Sequence, residues 1–159
     1  IPVQDKLETA VIHGDFNEQN ILVRPTSSGD DYEIFSVIDF GDSQRNPVVY
    51  ELAVAIMYMM TKCSVIHPNM AGGYVLAGYL AERKLDALEW DVLRTCVAAR
   101  YAQSLTMGAY SYAQDPGNEY LLITSKTGWK TLAEFWNTPK NELYGRWNEI
   151  IDGYSTNSE

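Results

Sequence analysis

Two short clusters near the start of the chain carry side chains suited to moving a phosphoryl group. In His13-Gly14-Asp15-Phe16-Asn17-Glu18-Gln19-Asn20 a carboxylate stands two residues after a histidine, and an amide follows five residues later. Asp39-Phe40-Gly41 places a second carboxylate 39 − 15 = 24 positions after the first. Phosphoryl transfer passes through a loose transition state, so the protein contributes mainly positioning and charge neutralisation. Mg²⁺ takes hard oxygen ligands and keeps several waters, so one carboxylate and one amide oxygen suffice from the protein. A separate carboxylate must orient the attacking hydroxyl and accept its proton, standing clear of the metal. Asp39 and Asn20 suit the metal role and Asp15 the base role.

The elements that must bring these groups together are legible around them. Thr9 to Ile12 is a short β-prone run that stops at the first cluster. Ile21 to Arg24 and Tyr32 to Asp39 read as two strands joined by the turn-forming stretch Thr26-Ser27-Ser28-Gly29-Asp30-Asp31, that is, as a hairpin. Antiparallel pairing brings Asn20 and Asp39 to one end of that ribbon, with Asp15 on the loop before it. From Asn46 the period becomes helical. Asn46-Pro47 reads as a cap followed by proline at the first helical position, opening a helix to about Lys62 that is apolar on nearly all sides. Further helices are expected from Asn69 to about Lys84 and from Asp86 to about Asp115. Asn118 to Ser125 also reads as helix, broken at Thr127-Gly128 and resumed from Trp129 to Trp136, with a last helix over about Asn141 to Ile151. The fold class is mainly α with a small β-hairpin. One unit spans 1–159, with the site-bearing loops and hairpin in 1–45 and a helical body in 46–151.

The chain has 159 residues and a formal charge of −9. A surface this acidic repels phosphate backbones and anionic headgroups, which argues against nucleic acid or membrane as direct partners. The longest nearly apolar stretch, Val48 to Met60, has 13 residues and includes Glu51, short of the roughly 20 that cross a bilayer. The first residue is Ile1, with no basic and apolar leader after it, which suggests a fragment or a processed chain. Cys63 and Cys96 lack metal-ligand spacing and read as two reduced, buried thiols, pointing to the cytoplasm.

His13-Gly14-Asp15-x4-Asn20 together with Ile38-Asp39-Phe40-Gly41 resembles the aminoglycoside phosphotransferase and choline kinase group, small-molecule kinases that share the protein-kinase fold. Gly14 favours that branch over protein kinases, which usually carry arginine there. The runs Val37 to Gln44, Glu51 to Met60 and Gly108 to Leu122, the last two outside the motifs, are similar to a branch acting on a hydroxylated amino acid. The resemblance implies transfer of the γ-phosphate of GTP, or of ATP in its place, to the hydroxyl of 5-hydroxy-L-lysine with Mg²⁺. Choline or an aminoglycoside is the alternative acceptor. It also implies that the chain is the C-terminal lobe alone. Only 12 residues precede His13, with no glycine-rich loop or strand lysine, so the nucleotide-clamping N-terminal lobe is expected to be missing. By itself the chain is then expected to be inactive, or to serve as a binding or regulatory module.

The resemblance assigns further roles. His13 is expected to buttress the metal loop rather than move protons, and Glu51 to brace the catalytic loop, where the group more often has aspartate. Leu22 and Ile38 resemble the apolar floor under the nucleotide base, although both also suit plain hairpin core. Tyr110, Tyr112, Asp115 and Glu119 are candidates for holding a cationic acceptor through aromatic faces and carboxylates. The competing account makes the aromatics core and Asp115-Pro116-Gly117-Asn118 a turn with a cap. Arg100, set among Val97, Ala98, Ala99 and Tyr101, reads as a helix–helix anchor in preference to a carboxylate clamp. His67 reads as a surface residue.

Overall fold

The structure, a computed structural model, describes residues 3–118 and 122–156. After a 3₁₀ turn at Gln4–Lys6 come strands β1 (Thr9–Ile12), β2 (Ile21–Pro25) and β3 (Tyr32–Val37). A second 3₁₀ turn at Phe40–Asp42 leads to β4 (Gln44–Pro47). Helices α1 (Val48–Lys62), α2 (Pro68–Glu82), α3 (Ala87–Gln114), α4 (Ser125–Asn137) and α5 (Lys140–Thr156) follow. The expected class, mainly α behind a β-rich start, is the observed one. Among the described residues no helix is long and apolar enough to cross a membrane.

The hairpin forms as its sequence dictates. β2 and β3 pair antiparallel from Ile21 opposite Val37 to Pro25 opposite Tyr32, with an irregularity at Leu22/Val23. The second strand stops at Val37 rather than Asp39, although Ile38 still donates its N–H to the carbonyl of Asn20 opposite it at 2.9 Å. A second two-stranded sheet was not expected. β4 pairs antiparallel with β1, Thr9 opposite Pro47 and Ile12 opposite Gln44. Gln44-Arg45-Asn46 has no alternation to announce a strand; its register comes from a partner far back in the chain. Pro47 therefore closes a strand instead of opening a helix, and α1 begins at Val48 with no side-chain cap. The Val48 N–H is instead satisfied by the Glu8 carbonyl at 2.9 Å.

α1 is the central pillar. Val49, Leu52, Ala53, Ile56, Met57 and Met60 are all buried, and the helix packs against α2 on one side and α3 on the other. Leu93, Val97, Tyr101 and Leu105 of α3, Phe135 of α4 and Trp147 of α5 complete one continuous core. Tyr101 and Thr61 satisfy each other inside it, hydroxyl to hydroxyl at 3.0 Å. α2 starts at Pro68 behind His67, whose imidazole Nδ1 accepts from the Asn69 N–H at 3.3 Å, so the exposed His67 has a capping task. α3 opens on a full capping box between Asp86 and Glu89.

The break expected at Thr127-Gly128 is absent: α4 runs straight through it. Gly128 sits against α3, where an added Cβ would come within 2.9 Å of Leu105 Cδ2, so this glycine serves close packing rather than termination. The helix expected from Asn118 is not seen at Asn118 itself, and residues 119–121 lie outside the described ones. α5 runs on past Ile151 and Gly153 to Thr156. Both cysteines are free, but only Cys96 is buried; Cys63 at the end of α1 is half-buried.

Candidate functional site

The loop between β1 and β2 is fixed from three directions. Gly14 has φ +86°, and a Cβ there would stand 2.5 Å from the Asp42 carbonyl oxygen. Only glycine combines that left-handed backbone with so close an approach of two loops. Its N–H donates to Glu51 Oε2 of α1 at 2.9 Å, while Glu51 Oε1 is buried without a partner. His13 accepts the Asp15 N–H on Nδ1 at 3.3 Å, so Nε2 carries the proton and donates to the Ile38 carbonyl at 2.8 Å. The His13 ring also lies 4.8 Å from that of Phe40. His13 binds backbone of both loops and ties one to the other, while Glu51 holds the first from α1.

Asp15 stands at the centre of a network of donors. Asn17 Nδ2 donates to Asp15 Oδ2 at 2.9 Å and to the Asp15 carbonyl at 3.1 Å. Asn20 Nδ2 donates to the same carbonyl at 2.9 Å and reaches Oδ2 at 3.4 Å. The other oxygen, Oδ1, receives Arg100 Nη2 from the middle of α3 at 2.9 Å. That Nη2 also donates to the Tyr58 hydroxyl at 3.1 Å, and the guanidinium lies over the Tyr58 ring, 5.4 Å from its centre. Burial pushes the Tyr58 phenol above its ordinary pKa, with the Arg100 cation acting in the opposite direction. Arg100 is thus far more than a helix–helix anchor: it clamps a carboxylate, that of Asp15. Sequence reasoning missed Asn17 and Tyr58 as well. Asn17 had a local signal, its place inside the first cluster.

Asp39 follows directly on Ile38, which is bonded to both Asn20 and His13. At φ 63° it has the one positive φ of any described non-glycine residue, a costly conformation that concentrates at functional positions. Its exposed side chain makes no capping bond to the following turn. Asn20, by contrast, is buried and spends its amide nitrogen on Asp15, which leaves its oxygen for another partner. A carboxylate and an amide oxygen on neighbouring, mutually hydrogen-bonded segments suit a hard cation that keeps much of its water. No group of three His, Cys, Asp or Glu side chains able to hold a metal occurs among the described residues. A cation here would therefore rest on this mixed pair. Leu22 and Ile38 are partly exposed, at 39% and 41%, flanking the Asn20–Ile38 bond.

Two cavities flank Asp15 and Arg100. One, of about 260 Å³, is lined by Asp15, Glu18, Tyr58, Lys62 and Ser104 among others. Glu18 Oε1 faces Lys62 Nζ at 3.2 Å, but Glu18 Oε2 is buried and unpaired. The other, of about 420 Å³, lies across Gly14 and Arg100 between β4, α1 and α3. Tyr110, Tyr112 and Asp115 sit at the far end of α3 and line neither; Tyr110 is 64% exposed. Glu119 lies outside the described residues.

Comparison with known proteins places the chain in a family. The phosphotransferase enzyme family model matches residues 2–91. The chain is 40% identical over 159 residues to hydroxylysine kinase of Xenopus laevis, covering 97% of this chain and 42% of that protein. It is 38% identical over 148 residues to hydroxylysine kinase of Mus musculus, covering 91% and 39%, and 40% identical over 136 residues to that of Danio rerio, covering 85% and 38%. The chain thus spans less than half the length of each relative. No solved structure matches it.

Proposed function

We propose, for a chain that belongs to the phosphotransferase enzyme family, that it supplies the acceptor and metal side of a cytoplasmic kinase that phosphorylates 5-hydroxy-L-lysine from GTP, with ATP as the alternative donor. The observation that carries this reading is the coupling of the Asp15–Asn20 loop to Asp39 through the Asn20–Ile38 and His13–Ile38 hydrogen bonds. The chain's free thiols suit a reducing compartment.

Asp15 takes the role of base. Asn17 and Arg100 hold its two carboxylate oxygens in a fixed plane, and the remaining lone pairs can accept the hydrogen bond of an acceptor hydroxyl and then its proton. Asn20 and Asp39 would hold Mg²⁺, which supplies charge neutralisation on the nucleotide phosphates when bound. Leu22 and Ile38 offer apolar surface for the base of the nucleotide. The smaller cavity is lined by Asp15 and Glu18 together. Hydroxylysine carries an ammonium one carbon from the hydroxyl that is phosphorylated, and Glu18 is placed to attract it.

The test is turnover by the protein as its gene encodes it, offered 5-hydroxy-L-lysine, choline and kanamycin with Mg-GTP and Mg-ATP. Phosphorylation of hydroxylysine above the other acceptors is expected, with GTP the better donor. Strong turnover of choline or kanamycin alone would replace the acceptor. Asp39→Ala is expected to lower Mg-nucleotide affinity and turnover together; if both were unchanged, the metal role would be wrong.

A further inference from the structure

We infer that the cavity of about 420 Å³ beside the catalytic loop receives the α-amino-acid head of the acceptor, its carboxylate on Arg100. The inference rests on the amino-acid kinase reading above and names a substrate contact that the family match does not reach, since Arg100 lies beyond residues 2–91.

The walls of the cavity include Gly14 of the catalytic loop, Gln44 and Asn46 of β4, Tyr50 of α1, and Arg100 and Gln103 of α3. Arg100 is the one charged residue among those lining it, in a chain of net charge −9. Its charge is shared with Asp15 behind it, but the cavity side carries no carboxylate, so an anion there meets no repulsion from the wall. Its bonds are incompletely used: Nη2 holds Asp15 and Tyr58, Nη1 holds Gln103 Oε1 at 3.0 Å, and Nε is buried with no partner. Buried donors are rarely left unpaired without a reason. With Nη2 committed to Asp15 and Tyr58, Nη1 keeps one N–H beyond its bond to Gln103, enough for a single charge-assisted bond to a carboxylate. Around it, the amide oxygens of Gln44, Asn46 and Gln103 and the Tyr50 hydroxyl can accept from an α-ammonium. Because the same guanidinium touches Asp15 Oδ1, an acceptor anchored on Arg100 has its chain beside the base. Arg100 then discriminates amino acids from simple amino alcohols.

The experiment is calorimetric binding, without nucleotide, of three probes: 5-hydroxy-L-lysine, L-lysine, and 1,5-diaminopentan-2-ol, which is hydroxylysine without its carboxylate. Arg100→Gln is expected to weaken the two carboxylate-bearing probes about tenfold or more and the diamine several-fold less, the common part reflecting the loss of its hold on Asp15. Equal loss for all three, no loss for any, or no binding of the amino acids by the wild type overturns the assignment. Ala99→Leu grows a side chain from an exposed position on the cavity wall while leaving the Arg100–Asp15 pair in place. It should weaken both amino acids, and unchanged affinity there overturns the assignment even if Arg100→Gln does not fold. Amino-acid binding that depends on Arg100, without phosphorylated product, would sink the kinase reading and spare the cavity. Intact turnover with a carboxylate-independent Arg100 effect would do the reverse.

Discussion

At the scale of single residues, the site depends on one missing methyl group. Gly14 lets the β1–β2 loop press against the Asp42 carbonyl, at a φ that an L side chain resists. Gly14→Ala should lose about 1–3 kcal/mol of stability, read from the midpoint of a urea titration, and should depress any turnover further by parting the two loops. Stability within a few tenths of wild type would mean that the loops can separate freely. Cys96 offers a contrasting prediction. Burial pushes its thiol up to about 11, so it should stay unmodified by iodoacetamide near neutral pH in the folded chain and react on unfolding. Rapid modification of native Cys96 would show that the cavity it lines is more open than drawn. Sequence alone could expect Asp15, Asn20 and Asp39 to lie on neighbouring segments because their spacing is short and the hairpin between them is local. It under-read Arg100, whose role depends on a contact across 85 positions that no periodicity encodes.

At the scale of elements, two glycines of one helix should respond oppositely to the same change. An added Cβ at Gly73 of α2 would stand 2.7 Å from Ile150 Cδ1 and 2.9 Å from Trp147 Cδ1, whereas at Gly78 it would meet nothing within 4 Å. Gly73→Ala should therefore destabilise by about 1–3 kcal/mol through overpacking against α5. Gly78→Ala should stabilise by about 0.5–1 kcal/mol through helix propensity. Denaturation midpoints moving in the same direction would contradict the α2–α5 packing. The helices were readable because each carries its own apolar stripe and, for α3, its own cap. β4 was not, since Gln44-Arg45-Asn46 looks like loop until β1 supplies the ladder. Gly128 misled for a related reason: a glycine that ends a helix and one that admits a neighbour look alike in one dimension.

At the scale of the whole molecule, acid groups locked inside the helical body set an alkaline limit. Burial raises Cys96 from 9.0 to about 11 and Tyr144 from 10.0 to about 12, and moves Tyr101 upward too. The unfolded chain releases these protons first, so the stability they contribute is complete below about pH 9 and is lost as pH rises toward 12. Thermal midpoints should fall steadily over that window, and a flat profile would show that these groups ionise without unfolding. The hairpin contributes little to this budget. Tyr32, Ile34 and Phe35 are already 68%, 65% and 60% exposed, so Ile34→Thr should change the unfolding free energy by less than about 0.5 kcal/mol. The Arg100–Asp15 tie also bears on biosynthesis. A ribosome delivers residues in order, so the motif emerges 85 positions ahead of the cation that orients it. The nascent chain therefore carries Asp15 without its cationic partner until the third helix docks.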